Sequence, residues 1–222
     1  MITVHHLNNS RSQRVLWLLE ELGVPYEIRH YERDPQTQFA PESLRQVHAL
    51  GKSPVVTEGA VTVAESGAIV EYLVEAHGGG RFVPAPGTPE RLRWRYWLHF
   101  AEGSAMPPLL MKLVFDRIVA SPMPFFAKPI ARGIAAKVME SYVGPNLVRN
   151  LDFMESELTR NPWFAGNEFS AADIQMSFPI EASAKRAGLD ASRPKLMAWL
   201  AAIHARPAYP RALERGGPYA YA

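Results

Sequence analysis

The sequence predicts an α/β unit followed by an all-helical unit, and three observations carry that prediction. Up to about residue 64, short β-branched or alternating runs are interleaved with a strongly periodic one. The segment Gly78-Gly79-Gly80-Arg81-Phe82-Val83-Pro84-Ala85-Pro86-Gly87-Thr88-Pro89 is dense in glycine and proline and breaks the pattern. Beyond it Ala, Leu, Arg, Met and Trp recur at helical spacing, and no run alternates as a strand does. The expected organisation is a first domain over 1–78, a linker over 79–88 and a helical domain over 89–222.

Ile2-Thr3-Val4-His5-His6-Leu7 opens β-branched and reads as a strand. Val15, Leu18, Leu19 and Leu22 follow at i, i+3, i+4 and i+7, one apolar face of a helix. Gly23 stops that helix and Pro25 prevents its resumption. Tyr26 to Tyr31 alternates and is the next strand, so the two strands are expected parallel across a helical crossover. A short helical segment is expected over Pro41 to Leu50. Ser53 to Thr57 and Val61 to Ala64 then form a hairpin about Glu58-Gly59-Ala60, and Ser66 to Val74 forms a helix capped by Ser66. A long helix is expected from near Pro89. Another is expected at Phe169-Ser170-Ala171-Ala172-Asp173-Ile174, with a capping box between Ser170 and Asp173 and a staple between Phe169 and Ile174.

Composition narrows the function. The 24 basic and 22 acidic residues nearly balance, leaving no basic tract for nucleic acid, so no nucleic-acid partner is expected. There is no cysteine, so any thiol chemistry must come from a bound ligand. No apolar stretch approaches the ~20 residues of a spanning helix, and Met1 to His6 has no signal-peptide pattern; a cytoplasmic protein without membrane attachment is expected. The seven histidines are scattered, and no metal site is expected. Trp94, Trp97 and Trp199 are read as packing residues.

Four motifs remain: Asn8-Asn9-Ser10-Arg11-Ser12-Gln13-Arg14, Gly51-Lys52-Ser53-Pro54, Glu65-Ser66-Gly67-Ala68-Ile69 and Ser170-Ala171-Ala172-Asp173. Each has a plain structural role open to it: a capping box at Ser10-x-x-Gln13, a proline at a strand start, a serine cap, a folding box. With the domain order, they make the chain resemble a cytosolic glutathione transferase over essentially its whole length. The blocks Glu102-Gly103-Ser104-Ala105-Met106-Pro107-Pro108-Leu109 and Ser170 to Pro179 look most like the bacterial and fungal branch that includes a yeast transferase.

The resemblance implies a thioredoxin-like first domain, an all-helical second domain, glutathione as co-substrate, no metal, and a symmetric homodimer. It implies that the Ser53-Pro54 bond is cis and that the backbone of Ser53 pairs with glutathione. Lys52 would lie near the glycine carboxylate of glutathione, Ser66 would bind its γ-glutamyl carboxylate and Glu65 its ammonium. A helix N-terminus suits an anion whatever the family, because its free amides and dipole face outward. Serine-type transferases place the active hydroxyl at this first strand-to-helix junction, four residues before an arginine, as Ser10 stands before Arg14; Ser12 and Asn9 are the local rivals. A thiol with a pKa of about 8.5 is little ionised at neutral pH, and a hydroxyl donating to the sulfur favours the thiolate. A small hydrophobic electrophile is expected between the domains. Met106, Pro107 and Leu110 are its candidate contacts, with Leu109, Leu113, Phe115, Tyr219 and Tyr221 beside them. Glutathione-dependent peroxide or disulfide reduction and a non-catalytic glutathione-binding role are the alternatives to transfer.

Overall fold

The computed structural model describes residues 1–221; Ala222, the end of the helical domain expected from the sequence, lies outside the described residues. The first part contains β1 (Ile2–Leu7), α1 (Ser12–Leu22), β2 (Tyr26–Tyr31), α2 (Glu42–Arg45), β3 (Val55–Glu58), β4 (Val61–Ala64) and α3 (Ser66–His77). The sheet runs β2-β1-β3-β4. β1 and β2 are parallel, as a helical crossover requires, and pair from Ile2 opposite Tyr26 to Leu7 opposite Tyr31. β3 returns antiparallel to β1 and turns tightly into β4, the expected hairpin. The segment expected over 41–50 narrows to the single turn of α2, which buries only Leu44.

The second part is helical: α4 (Pro89–Phe100), α5 (Met106–Ala120), α6 (Ala127–Val138), α7 (Gly144–Arg160), α8 (Ala171–Arg186), α9 (Pro194–His204) and α10 (Ala208–Gly216). One π-helical turn, Ala101–Ala105, joins α4 to α5, and another, Met139–Val143, joins α6 to α7. Among the described residues no helix is long and apolar enough to cross a membrane.

α1 sits at the centre of the molecule. Its apolar face, Val15, Leu18, Leu19 and Leu22, is buried with Val4, Val56, Ile69 and Leu73 of the first part. Its other side is buried as well, because α8 and α10 pack against it. Gly23 ends it in the left-handed region at φ 67, a conformation that costs glycine little, and its N–H bonds the Leu19 carbonyl. Trp94, Trp97 and Trp199 lie in the same core cluster.

α8 is the other central helix, buried along nearly its whole length. Its start is the predicted folding box. The Ser170 hydroxyl accepts from the Ala172 amide at 3.3 Å, and Asp173 Oδ2 accepts from the Ser170 amide at 2.9 Å. Asp173 does more than close the box, since its Oδ1 accepts from the Phe164 amide at 3.0 Å and from Trp199 Nε1 at 3.1 Å. One buried carboxylate therefore joins α8, α9 and the loop before α8. Asp173→Ala leaves these donors unsatisfied, and a loss of about 3 kcal/mol is expected in urea denaturation, with Ser170→Ala costing about 1 kcal/mol.

Candidate active site

The two serine motifs are built differently from simple caps. α1 begins at Ser12, and the capping position falls on Arg11, which makes no side-chain cap bond. The Ser10 hydroxyl accepts from the Ser12 amide at 3.2 Å, and the Gln13 amide goes to the Ser10 carbonyl at 3.3 Å. The reciprocal half of the expected capping box is missing: the buried Gln13 side-chain amide has no partner among the described residues. α3 departs in the same way. Ser66 is its first residue rather than its cap, and the capping position is Glu65, held at φ 70, ψ 124, outside the usual regions for a residue with a Cβ. The helix makes no use of the Ser66 hydroxyl, so that group and the first amides of α3 are available to a ligand. Strain of this kind at a helix start is a mark of binding sites.

Ser10 belongs to a chain of three side chains. Its hydroxyl lies 2.7 Å from the Ser12 hydroxyl, which lies 2.8 Å from His6 Nδ1. His6 is buried, and burial and the neighbouring His30 push its pKa down to about 4, against the lifting effect of a bond to the Gly216 carbonyl. His6 is therefore neutral at pH 7, with its N–H toward Gly216 and Nδ1 left as an acceptor. Ser12 donates to that nitrogen, with the Leu7 carbonyl at 3.3 Å as a second, longer acceptor. The Ser12 oxygen then accepts a hydrogen bond from the Ser10 hydroxyl. No role for His6 follows from the sequence, since its contact with Ser12 depends on how β1 turns into α1.

Arg14 is not at the cavity surface but wholly buried behind it. Its guanidinium bonds the Gln175 carbonyl of α8 and pairs with Glu102, which also holds Arg11 Nε at 3.1 Å. Burial lifts the Glu102 carboxyl, but Arg14 and Arg11 together outweigh it and hold the pKa below the ordinary range.

A cavity of about 610 Å³ opens where the two parts meet. Ser10, Asn9 and Ser53 line it from the first part; Met106, Leu109, Leu110 and Leu113 of α5 and Phe178 of α8 line it from the second. Tyr221 closes one side, fixed by two stitches: Tyr219 donates to Glu181 at 2.7 Å, and the Ala220 amide donates to Asn9 Oδ1 at 2.8 Å. Ser12 is fully buried and Asn9 is engaged with this tail, which leaves Ser10 as the hydroxyl presented to the cavity.

The other candidates are dispersed. The Ser53-Pro54 bond is cis, and the Ser53 hydroxyl donates to the His5 carbonyl at 2.9 Å while accepting from the Leu7 amide at 3.2 Å. Lys52 and Glu65 are exposed, Pro54 and Ser66 are buried, and none of the four lines the cavity. Pro107 is exposed and also outside the lining, as are Phe115 and Tyr219. Arg117, not among the expected contacts, does line it. The spacing of Met106, Leu110, Leu113 and Arg117 was the legible signal, since these positions share one face of α5. Among the described residues no group of three His, Asp or Glu is arranged to hold a metal.

Comparison with known proteins is consistent with this architecture along the whole chain. The family model described as glutathione S-transferase, N-terminal domain, matches residues 1–75, and the one described as glutathione S-transferase, C-terminal domain, matches residues 135–207. Glutathione S-transferase 3 of Schizosaccharomyces pombe is 37% identical over 97% of this chain and 88% of its own length. Glutathione S-transferase 1 of Saccharomyces cerevisiae is 31% identical, covering 97% and 95% respectively. Among solved structures, a glutathione S-transferase from Actinobacillus pleuropneumoniae superposes with a TM-score of 0.80 at 30% identity, over 100% of this chain and 95% of that one. A glutathione transferase from Phanerochaete chrysosporium, solved with oxidized glutathione, gives 0.74 at 25% identity over 97% and 96%.

The buried, neutral His6 has a measurable consequence. Between about pH 4 and the ordinary histidine value of 6.5, the unfolded chain binds a proton that the folded chain does not. Stability from this group is complete above pH 6.5 and falls as pH drops toward 4, by up to about 3 kcal/mol. The buried Asp173, its pKa raised by burial to about 6, contributes an opposite slope below pH 6. The His6 part is therefore read as the difference between the unmodified protein and His6→Gln in urea denaturation at several pH values. That difference should grow as pH rises from 4 to 6.5.

Proposed function

This chain belongs to the glutathione S-transferase family, and from that premise we propose that it activates the thiol of glutathione at Ser10 for attack on a small electrophile held between the domains. The observation that carries the assignment is the Ser10–Ser12–His6 chain beside the cavity. With Ser12 donating to His6, the Ser10 hydroxyl donates to a neutral hydroxyl oxygen. An anionic sulfur is a better acceptor than that oxygen, because a hydrogen bond to a charge is about twice as strong. A neutral thiol offers no such gain. The site therefore favours the thiolate over the thiol, which lowers the thiol pKa.

Glutathione is held, in this reading, by Ser66 and the free amides at the start of α3, by Glu65 at its ammonium, by Lys52 at its glycine carboxylate, and by the backbone at Ser53-Pro54. The unused Ser66 hydroxyl and the strained Glu65 backbone support those roles. In the reaction the thiolate forms a carbon–sulfur bond at the electrophilic carbon. With a chloronitroarene, the carbon–chlorine bond breaks and chloride leaves with the electron pair; the thiol proton has already passed to solvent. Met106 and Leu110 pack the acceptor in this scheme, joined by Leu109 and Leu113; the exposed Pro107 is outside the cavity wall.

The first domain acts as the glutathione-binding unit over 1–78, with 79–88 as linker and 89–222 as the acceptor-binding unit. α3 ends at His77 and α4 begins at Pro89, which suits that division. The working form is a cytoplasmic symmetric homodimer. Leu92 and Tyr96 on α4, 70% and 47% exposed beside a shallow groove with His99 and Phe100, suit a self-complementary contact.

Ser10→Ala should raise the pKa of bound glutathione thiol by about one unit, worth about 1.4 kcal/mol, and lower kcat/KM for 1-chloro-2,4-dinitrobenzene about tenfold or more. Thiolate absorbance titrated in the binary complex and steady-state assays read the two effects. Full activity in a folded Ser10→Ala protein would overturn the assignment. Ser66→Ala should instead raise KM for glutathione with little change in kcat.

A further inference from the structure

The charge of the cavity is one-sided. Among the described residues Arg11, Arg33, Lys112, Arg117 and Arg186 line it, and no acidic side chain does. Two of the five are already matched: Arg11 by Glu102 at 3.1 Å and Lys112 by Asp116 at 2.9 Å. Arg33, Arg117 and Arg186 are in no ion pair among the described residues. The Arg33 guanidinium donates to the Gln38 carbonyl at 3.1 Å, and Arg186 stacks 4.9 Å from the Tyr221 ring. Burial lowers the pKa of Arg33; the Tyr221 phenol opposes that, while Arg117 and Arg11 add to it. The Arg33, Arg117 and Arg11 guanidiniums therefore share one field.

Their placement is also specific. Met106, Leu110, Leu113 and Arg117 follow at intervals of four, three and four on α5, an apolar stripe that runs into a cation about 16 Å from its start. Arg186 on α8 and Arg33 after β2 converge on the same cavity from two other elements. The side chains proposed to hold the charged groups of glutathione, Lys52, Glu65 and Ser66, stand outside this lining. Like charges facing one cavity repel each other, and an anion relieves that repulsion; guanidinium forks match carboxylate and phosphate oxygens in pairs.

Resting on the transferase reading above, we propose that the preferred acceptor is an anionic electrophile, an apolar body bearing a carboxylate or other oxyanion, which Arg33, Arg117 and Arg186 select. The apolar body lies along the α5 stripe and the oxyanion meets the guanidiniums at its end. The same field also raises the rate of encounter with such molecules at low salt.

The test compares two acceptors of matched shape, 4-chloro-3,5-dinitrobenzoate and 4-chloro-3,5-dinitrobenzamide, and the glutathione conjugates they form. By titration calorimetry on the full chain, the carboxylate conjugate should bind about tenfold more tightly than the carboxamide conjugate at low ionic strength, and the ratio should shrink at about 0.5 M salt. Arg117→Gln and Arg186→Gln should bring the ratio close to one, with S-methylglutathione binding unaltered. Equal affinity of the two conjugates in the unmodified protein would overturn the proposal. So would Arg variants that weaken S-methylglutathione as much as the carboxylate conjugate, since the cations would then serve glutathione. Turnover with 1-chloro-2,4-dinitrobenzene fails only if the transferase reading fails, while the ratio of conjugate affinities is read at equilibrium and stands apart from turnover.

Discussion

Arg14 is a full positive charge, buried almost completely, and three elements of the architecture meet on it. It leaves the first turn of α1 and meets Glu102 in the π-helical turn before α5 and the Gln175 carbonyl in α8. A buried charge that loses its partner costs several kcal/mol, so these three elements cannot separate independently. At the other end of α1 the pattern repeats with the signs reversed. Glu21 holds Arg206 through two bonds, and Glu20 holds Arg211 and Arg215. The first part of the chain is thus fastened to the helical part through one helix, at both ends, with apolar packing between. The cavity lies beside the N-terminal fastening, and Arg11, paired with Glu102, belongs to both.

The hydroxyls near this junction divide into those the fold consumes and those it leaves over. Ser12 is consumed between His6 and the Leu7 carbonyl; Ser170 is consumed at the start of α8. Ser66 is left over because the helix begins at it rather than after it. Ser10 is intermediate, bonded to a partner that a better acceptor can displace. Such a difference is set by one residue of offset between a serine and the start of its helix.

That offset marks the limit of what the chain revealed before its structure. Strand and helix assignments were legible because residues such as Val15, Leu18, Leu19 and Leu22 carry the period of the element they form. The folding box at Ser170 and Asp173 was legible because both halves are local. The cis bond before Pro54 and the glutathione motifs came from resemblance, not from spacing. The His6–Ser12 contact was not legible, since it depends on the angle at which β1 turns into α1. The convergence of Arg33, Arg117 and Arg186 was hidden for a related reason: these residues lie on three elements far apart in the chain.

The Ser53 side chain has a consequence for hydration. β1 and β3 stop pairing at His5 opposite Val55, before β1 ends. The His5 carbonyl, in that rung, and the Leu7 amide, one step beyond it, both face the segment before β3, and the amide has no strand partner and would recruit water. The Ser53 hydroxyl takes both, completing by a side chain the rung that the backbone does not make. The end of β1 is left with no empty bonding site on that side. Water is thereby kept from these two groups, and the Ser53 hydroxyl is spent within the fold rather than offered to the cavity.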